Sequence, residues 1–438
     1  GPDENVFDIR QGVAIALMIK HGNTDFRGVF HAHLFGTRAD KYAWLDSHDL
    51  STAGYQPIAP ASPYYFFTPR RTQNLQAYQS WPSVTEIFPV NGAGMTTARD
   101  DFIIDFDSYN LLNRIRAFKH SNLDDKGLHQ AFGIHVKKGW SIRKAWKELQ
   151  SIDDGRMQEY IQPVLYRPFD LRYIFYHDAV VWRTVKRVMR HMLAGENLGL
   201  ILPRRVEHIG TWQHAFITSH ITEHVAVSLK TIDYCLPLYL YPSAEAPDMF
   251  HQERRPNLAE GLLPKLAAAY GFTPAPEDVL AYIYAVFYSP TYRQKYAQEL
   301  RTDFPRVPFT ADGALFRQMA TLGRQLMDLH LLRSPALATP LVKYQGQGSD
   351  MVEKARYDAQ TQRVYINADK YFEGITPAMW EYQIGGYQVL EKYLKDRKGR
   401  RLDDPVRYIR IATAIAHTMD IQQQIDEIYP QVEGAVLP

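Results

Sequence analysis

The sequence predicts an α+β fold, with mixed strands and helices arranged as a β-rich core and a helical C-terminal part. Three observations carry that prediction. Strand-like runs of β-branched and aromatic residues crowd into residues 164–240, helical spacing dominates from residue 277 onward, and the two do not alternate in the regular βαβ order of a parallel sheet.

The first block, residues 1–50, reads as a hairpin and a helix. Residues 6–10 are strand-like, the apolar run Val13-Ala-Ile-Ala-Leu-Met-Ile-Lys20 has strand length, and residues 28–35 alternate again. His21-Gly-Asn-Thr-Asp25 supplies turn residues between the last two, so a hairpin is expected. Residues 37–48 have helical spacing through Tyr42 and Leu45. The second block, 51–160, is an irregular and helical connection. Pro, Gly and aromatics fill 51–95, including Ser62-Pro-Tyr-Tyr-Phe-Phe67 and Asn91-Gly-Ala-Gly94. A helix over 109–118 places Leu111, Leu112, Ile115 and Phe118 on one face, and Ser141 N-caps another through Trp146 and Leu149.

The third block, 161–345, is the mixed core. Strands are expected at 172–176, 198–202, 215–218 and 223–228, and helices at 277–288, 291–300 and 315–332, with a break at Ser289-Pro290. In the last helix Leu322, Leu326 and Leu329 are in register. The fourth block, 346–438, has a strand at 363–367 and helices at 384–395 and 405–429.

A hydrophobic share of 45% with 22% charged residues excludes wholesale disorder. The longest apolar run without tyrosine, Val13 to Ile19, is far short of the ~20 residues that span a bilayer, so no membrane association is expected. The opening Gly-Pro-Asp-Glu-Asn has no initiator Met and no basic region of a secretory signal, and reads as the start of a piece cut from something longer. The single Cys235 excludes an intramolecular disulfide and a thiolate metal cluster; a free, buried thiol in a reducing cytoplasm is expected.

The formal charge is only +2, but basic residues gather locally. Residues 137–147 hold five and no acid, 183–205 hold six against Glu196, and 392–410 hold eight against three Asp. Such patches are what a polyanion-binding surface needs. The candidate phosphate contacts are Lys137, Lys138 and Arg143; Arg183, Lys186, Arg187, Arg190, Arg204 and Arg205; and Lys395, Arg397, Lys398, Arg400 and Arg401 around Gly399. On a helix, Arg183, Lys186, Arg187 and Arg190 share one face that reaches His191, and the helix ends before Gly195. Arg204 and Arg205 follow a strand and turn back toward that face. Gly399 is expected to end the preceding helix in a left-handed cap.

No catalytic centre stands out. His220-Ile-Thr-Glu-His224 matches the H-x-x-E-H pattern of inverted zinc peptidases, but its flanks read as a strand, which puts residues four apart ~13 Å apart. His31 and His33 are a possible ligand pair without a third ligand. Asp105, Asp107 and Asp124-Asp-Lys126 loosely resemble a two-acid-plus-lysine nuclease site, and Ser62-Pro-Tyr-Tyr65 a methyltransferase base-gripping loop. Asn91-Gly-Ala-Gly-Met lacks the lysine of a phosphate loop, and no G-x-S-x-G elbow is present. Neither catalytic nor metal-binding residues are therefore assigned.

The most distinctive stretch, Ile384-Gly-Gly-Tyr-Gln-Val-Leu-Glu-Lys-Tyr-Leu-Lys-Asp-Arg-Lys-Gly399, resembles the C-terminal specificity domain of Type ISP restriction–modification enzymes. So do Tyr166-Arg-Pro-Phe-Asp-Leu-Arg-Tyr173, Val188-Met-Arg-His-Met-Leu-Ala-Gly-Glu-Asn-Leu-Gly199, Tyr288-Ser-Pro-Thr-Tyr-Arg293 and Asp303-Phe-Pro-Arg-Val-Pro-Phe309, in the right order over most of residues 160–430. Val6-Phe-Asp-Ile-Arg-Gln-Gly-Val-Ala-Ile15 resembles the closing strands of the adenine-N6 methyltransferase core that precedes that domain. The resemblance implies target recognition on double-stranded DNA, with an upstream methyltransferase, helicase-like ATPase and nuclease as partners in phage defence. It also implies no cofactor in this chain, S-adenosylmethionine, ATP and Mg belonging to the full-length enzyme. The S-adenosylmethionine loop and the Asn-Pro-Pro-Tyr motif are absent from this sequence. Two alternatives stay open: an active methyltransferase or nuclease with a divergent site, at 62–67 or 105–126, and a docking domain for a catalytic subunit.

Overall fold

The computed structural model describes residues 3–438 except 8, 10, 11, 21, 23–26, 63, 70–73, 136–138, 208, 209 and 243–252. Two compact units divide the chain at Gln76/Ala77. In the first, Thr37 opens helix Arg38–Ser47 with a capping box closed by Asp40. The expected hairpin does not form: strand Val29–His31 pairs antiparallel with Gln56–Ile58 instead. Residues 13–20 carry no strand pairing, and Ile15, Leu17 and Met18 are each more than 80% exposed. Apolar side chains without a sheet to enter have no ladder to hold them extended.

In the second unit two four-stranded sheets form the core. One orders its strands Ile104–Asp105, Asp170–Phe175, Ile161–Arg167 and Ile221–Thr222, antiparallel except for the parallel Val164↔Ile221 pairing. The other orders Gly92–Ala93, Asp233–Pro237, Gly199–Pro203 and Phe216–Thr218, all antiparallel. Leu200, Ile201 and Leu202 are wholly buried, as an interior strand requires. Cys235 is free and buried in the neighbouring strand, and burial pushes its thiol up to about 12.

Two expected elements are corrected. Residues 223–228 turn rather than extend, because carboxylates capture their backbone donors: Glu223 accepts the N–H of Val225 at 2.8 Å, and Asp233 those of Val227 and Ser228 at 2.6 and 3.0 Å. Residues 384–388 are not helical. Gln383–Ile384 and Tyr387–Gln388 pair in a tight hairpin, and the helix is only Val389–Lys395. Gly385 has φ +61°, and a Cβ there would overlap the Val227 carbonyl.

Helices Pro276–Tyr288, Gly313–His330 and Pro405–Gly434 pack as the helical part. Leu111, Leu112, Ile115 and Phe118 are buried on helix Ser108–Lys119, and Ser141 caps Ile142–Gln150, as the spacing predicts. The helix expected at 291–300 is two, Pro290–Lys295 and Ala297–Thr302, broken at Tyr296. His330 joins the three long helices: Tyr284 lies 2.6 Å from one ring nitrogen and Thr418 3.0 Å from the other. Burial takes this imidazole down to about 3, so it is neutral. A third antiparallel sheet orders Lys343–Gln345, Tyr371–Glu373, Arg363–Tyr365 and Arg356–Asp358. Among the described residues no helix is long and apolar enough to cross a membrane.

Candidate nucleic-acid interface

The basic segment that begins at Arg183 is built on a strand-like crossing. Arg183 N–H donates to the Thr96 carbonyl at 2.9 Å, and Thr96 N–H returns the bond at 3.0 Å. Val185 then turns left-handed (φ 49°), and helix Lys186–Leu193 starts after it. Arg183 is therefore exposed beside the helix and not on its face, which corrects the four-residue alignment. Lys186, Arg187 and Arg190 do share the exposed face, while Val188, Met189 and Met192 enter the core. The spacing reaches His191 wrongly. His191 is buried, its Nδ1 accepts the Tyr241 N–H at 3.0 Å, and burial lowers it to about 4, leaving it uncharged. The helix C-cap is Ala194, just before Gly195.

The glycines of 91–94 have a packing role. A Cβ on Gly92 would sit 2.9 Å from a Val188 methyl carbon, and one on Gly94 2.6 Å from the Glu223 carbonyl oxygen. They let the edge strand approach both the helix and the turn at Glu223, and Arg187 Nη2 donates to the Asn91 carbonyl at 3.1 Å. Lys186 is ion-paired with Asp178, both well exposed. Arg204 pairs with Asp303 at 2.7 Å, and Val206 N–H bonds the Arg301 carbonyl, so this segment is tied to helix Ala297–Thr302 instead of turning back. Arg205 is exposed.

Of the N-terminal patch, Lys137 and Lys138 lie outside the described residues. Arg143 binds Asp125 at 2.6 Å and the Leu123 carbonyl at 3.2 Å, and its guanidinium lies 5.0 Å from the Trp146 ring centroid.

The C-terminal patch divides. Lys395, Lys398, Arg400 and Arg401 are exposed, the last reaching Asp350 at 3.5 Å. Arg397 is not a surface residue. Its guanidinium meets Asp170 Oδ1 at 2.7 Å and lies 3.5 Å from the Tyr393 ring centroid. Asp170 is wholly buried and also held by Arg172 at 2.8 Å; Arg172 in turn reaches Asp396 at 3.1 Å and lies over Tyr166 at 3.7 Å. Burial alone would raise the Asp170 carboxyl, but Arg397 and Arg172 overcome it and hold it below the usual range. Gly399 is left-handed (φ 76°) but lies four residues beyond Lys395, closing a run of turns; Asp396 is the C-cap.

Arg167 extends this network. It meets Glu223 at 3.3 Å and lies 4.0 Å from the Tyr166 ring centroid. Glu223 also contacts the His224 ring, and that hydrogen bond raises the imidazole pKa. His224 is thus engaged next to a turn, not on a helix facing His220. His31 and His33 meet edge to face at 4.0 Å. Among the described residues no group of three or more His, Cys, Asp or Glu is placed to hold a metal.

The acids of the nuclease-like pattern have structural work. Asp105 pairs with Arg114, Asp107 caps helix Ser108–Lys119, Asp124 caps Asp125–Ala131, and Asp125 holds Arg143. Asp170, Arg172, Asp396 and Arg397 thus form a buried ionic lock; of these the sequence singled out Arg397 alone, as a phosphate contact, and the others stood only within the stretches 166–173 and 384–399.

Comparison with known proteins bears on the fold and the family. Solved structures share the fold, three of them as follows. One is a nuclease-deletion mutant of the Type ISP restriction–modification enzyme LlaGI in complex with a DNA substrate mimic, at 18% identity over 89% of this chain and 32% of that one, TM-score 0.63. Another is the DrdV–DNA complex, at 21% over 90% and 42%, TM-score 0.66. The ATP-dependent Type ISP restriction–modification enzyme LlaBIII bound to DNA matches at 18% over 86% and 26%, TM-score 0.65. The chain spans less than half the length of each. No curated protein matches in sequence. The model of the Type ISP C-terminal specificity domain matches residues 86–424, most of the chain and all of the ionic network just described, and this protein belongs to that family.

Proposed function

We propose that this chain is the sequence-specific double-stranded DNA recognition module of a restriction–modification enzyme, positioning a methyltransferase and translocating nuclease carried by the upstream portion of that enzyme. The family match over residues 86–424 carries this reading. S-adenosylmethionine, ATP and magnesium are assigned to the upstream portion. Within this chain, Lys186, Arg187 and Arg190 on one exposed helical face, with Arg183 beside them, supply the cations that replace counterions on phosphates. Arg205, Lys395, Lys398, Arg400 and Arg401 are further exposed candidates, whereas Arg397 is assigned to the scaffold.

The test titrates Arg187→Ala and Arg190→Ala against specific and random duplexes at several salt concentrations. Each lost phosphate contact is expected to lower the slope of log K against log salt by about one and to weaken all sequences alike. Unchanged affinity and slope in both variants would remove this helix from the DNA face.

A further inference from the structure

We infer that the outward face of the C-terminal sheet is a stacking platform for unpaired nucleic-acid bases. The register of that sheet aligns Tyr344, Phe372, Val364 and Tyr357 in one row. Val364 and Phe372 are wholly buried, and Phe372 packs 4.2 Å from Tyr408 of the C-terminal helix. Alternation along each strand puts the flanking rows on the opposite face. One of these rows reads Gln345, Tyr371, Tyr365, Arg356. The two tyrosine rings lie 5.2 Å apart, the Arg356 guanidinium 4.1 Å from Tyr365, and the Arg363 guanidinium, from the neighbouring row, 4.4 Å from Tyr371. Gln345 and Arg356, at the ends of the row, are exposed.

The strip Arg356–Tyr365–Tyr371–Arg363 presents two half-buried tyrosines, each with a guanidinium plane lying over its ring, on a sheet surface. Those are the surfaces on which splayed bases stack, with little regard to sequence. Charge favours the same occupant. Glu373 is taken by Arg363 in a two-pronged pair at 2.6 and 3.0 Å, and Asp358 accepts the N–H groups of Gln360 and Thr361. Lys343 and Arg356 are exposed, and although Arg356 adds to the Thr361 and Gln360 hydrogen bonds in holding the Asp358 carboxyl low, the two cations face outward where a phosphate chain would run. An intact duplex keeps its base faces inside its own stack, so the ligand that fits is a single strand.

The experiment measures fluorescence anisotropy of a labelled single-stranded oligothymidine, and in parallel a random duplex, with the whole chain. Tyr365→Leu with Tyr371→Leu is expected to weaken single-strand binding at least about fivefold. Tyr365→Phe with Tyr371→Phe, which keeps both rings, is expected to restore it. Equal thermal midpoints of the two double variants make the comparison one of binding; if the Leu variant unfolds, Arg356→Glu at its exposed position decides it, with weakened single-strand binding expected and unchanged binding overturning the platform. Absence of single-strand binding by the wild-type chain, or equal binding by Leu and wild-type chains, would overturn the platform. Parallel loss of duplex and single-strand affinity in the Leu variant would also overturn it, by making this face part of the duplex surface. The Arg187 and Arg190 variants test the duplex reading separately.

Discussion

Replacing Arg397 with Ala removes one of the two guanidiniums that neutralise a carboxylate the fold keeps almost dry. The Asp170 side chain is 2% exposed and that of Arg397 11%, so neither partner recovers much hydration in the native state. In the variant Asp170 keeps only Arg172, which already serves Asp396. Breaking a buried pair on one side costs about 3–5 kcal/mol. Losing the guanidinium from the Tyr393 ring adds roughly 0.5–2 kcal/mol. The folded-to-unfolded ratio should therefore fall at least a hundredfold, at ~1.4 kcal/mol per factor of ten. Urea titration of wild type, Arg397→Ala, Asp170→Asn and the double variant forms a cycle in which the two losses do not add. The control is Arg401→Ala, an exposed ion pair worth ~1 kcal/mol or less. An Arg397→Ala chain that unfolds at the wild-type urea concentration but loses about one unit of DNA salt slope would refute the lock and return Arg397 to the phosphate contacts.

Asp233→Asn should flatten part of the pH dependence of stability. Burial lifts the Asp233 carboxyl to about 7 against the lowering pull of the Ser228 and Val227 N–H groups, so the native state holds a proton that the unfolded chain releases near ~3.9; stability falls as pH rises between those values, and urea midpoints across pH 4–8 should show that fall in wild type but not in the variant. Gly385→Ala combines a left-handed φ with overlap of the Val227 carbonyl, so it should cost at least ~1 kcal/mol; an unchanged thermal midpoint would mean the hairpin relaxes away from residue 227. Cys235 should resist a thiol-specific reagent in the native chain and react on unfolding, since it is buried and its thiol titrates near 12; fast native labelling would contradict its place in the sheet. The chain alone should transfer no labelled methyl group to DNA and leave it uncut, and incorporation by a preparation free of other subunits would reveal a catalytic site in this sequence.

What the sequence made legible was governed by local periodicity. Helices Ser108–Lys119 and Gly313–His330 were readable because their buried residues repeat at helical spacing. The same rule picked out Lys186, Arg187 and Arg190 as one exposed face. It failed at Arg183 because the left-handed Val185 breaks the helix, a backbone choice that no spacing reports. Residues 223–228 have strand-like residues, yet Asp233, farther along the chain, takes their N–H groups and turns them. Strand Asp233–Pro237 was not singled out; its Pro237 occupies the last position of the ladder. The ion pair of Arg397 was missed for a different reason. A charge count sees eight cations in 392–410 but not an acid 227 residues away.

That misreading bears on what family membership means physically. Two stretches that carry the resemblance, 166–173 and 384–399, meet in the fold: Arg397 and Asp396 from one engage Asp170 and Arg172 from the other. Gly385 lies against the turn at Val227, and the Tyr387 hydroxyl donates to the Val225 carbonyl at 2.8 Å. Asp170, Arg172, Asp396, Arg397, Gly385 and Tyr387 are each fixed by a partner or by backbone space. A carboxylate with two guanidiniums tolerates no neutral replacement of one member without leaving charge unpaired in a low dielectric. Exposed Arg190, Arg205 or Lys398 meets no such constraint from the fold, so their identities are free to follow the ligand. The part of the likeness that falls on these ion pairs therefore locates the scaffold of a recognition domain. The recognised bases must be sought among exposed side chains, where a substitution alters specificity by ~1–3 kcal/mol per base pair while the scaffold stands.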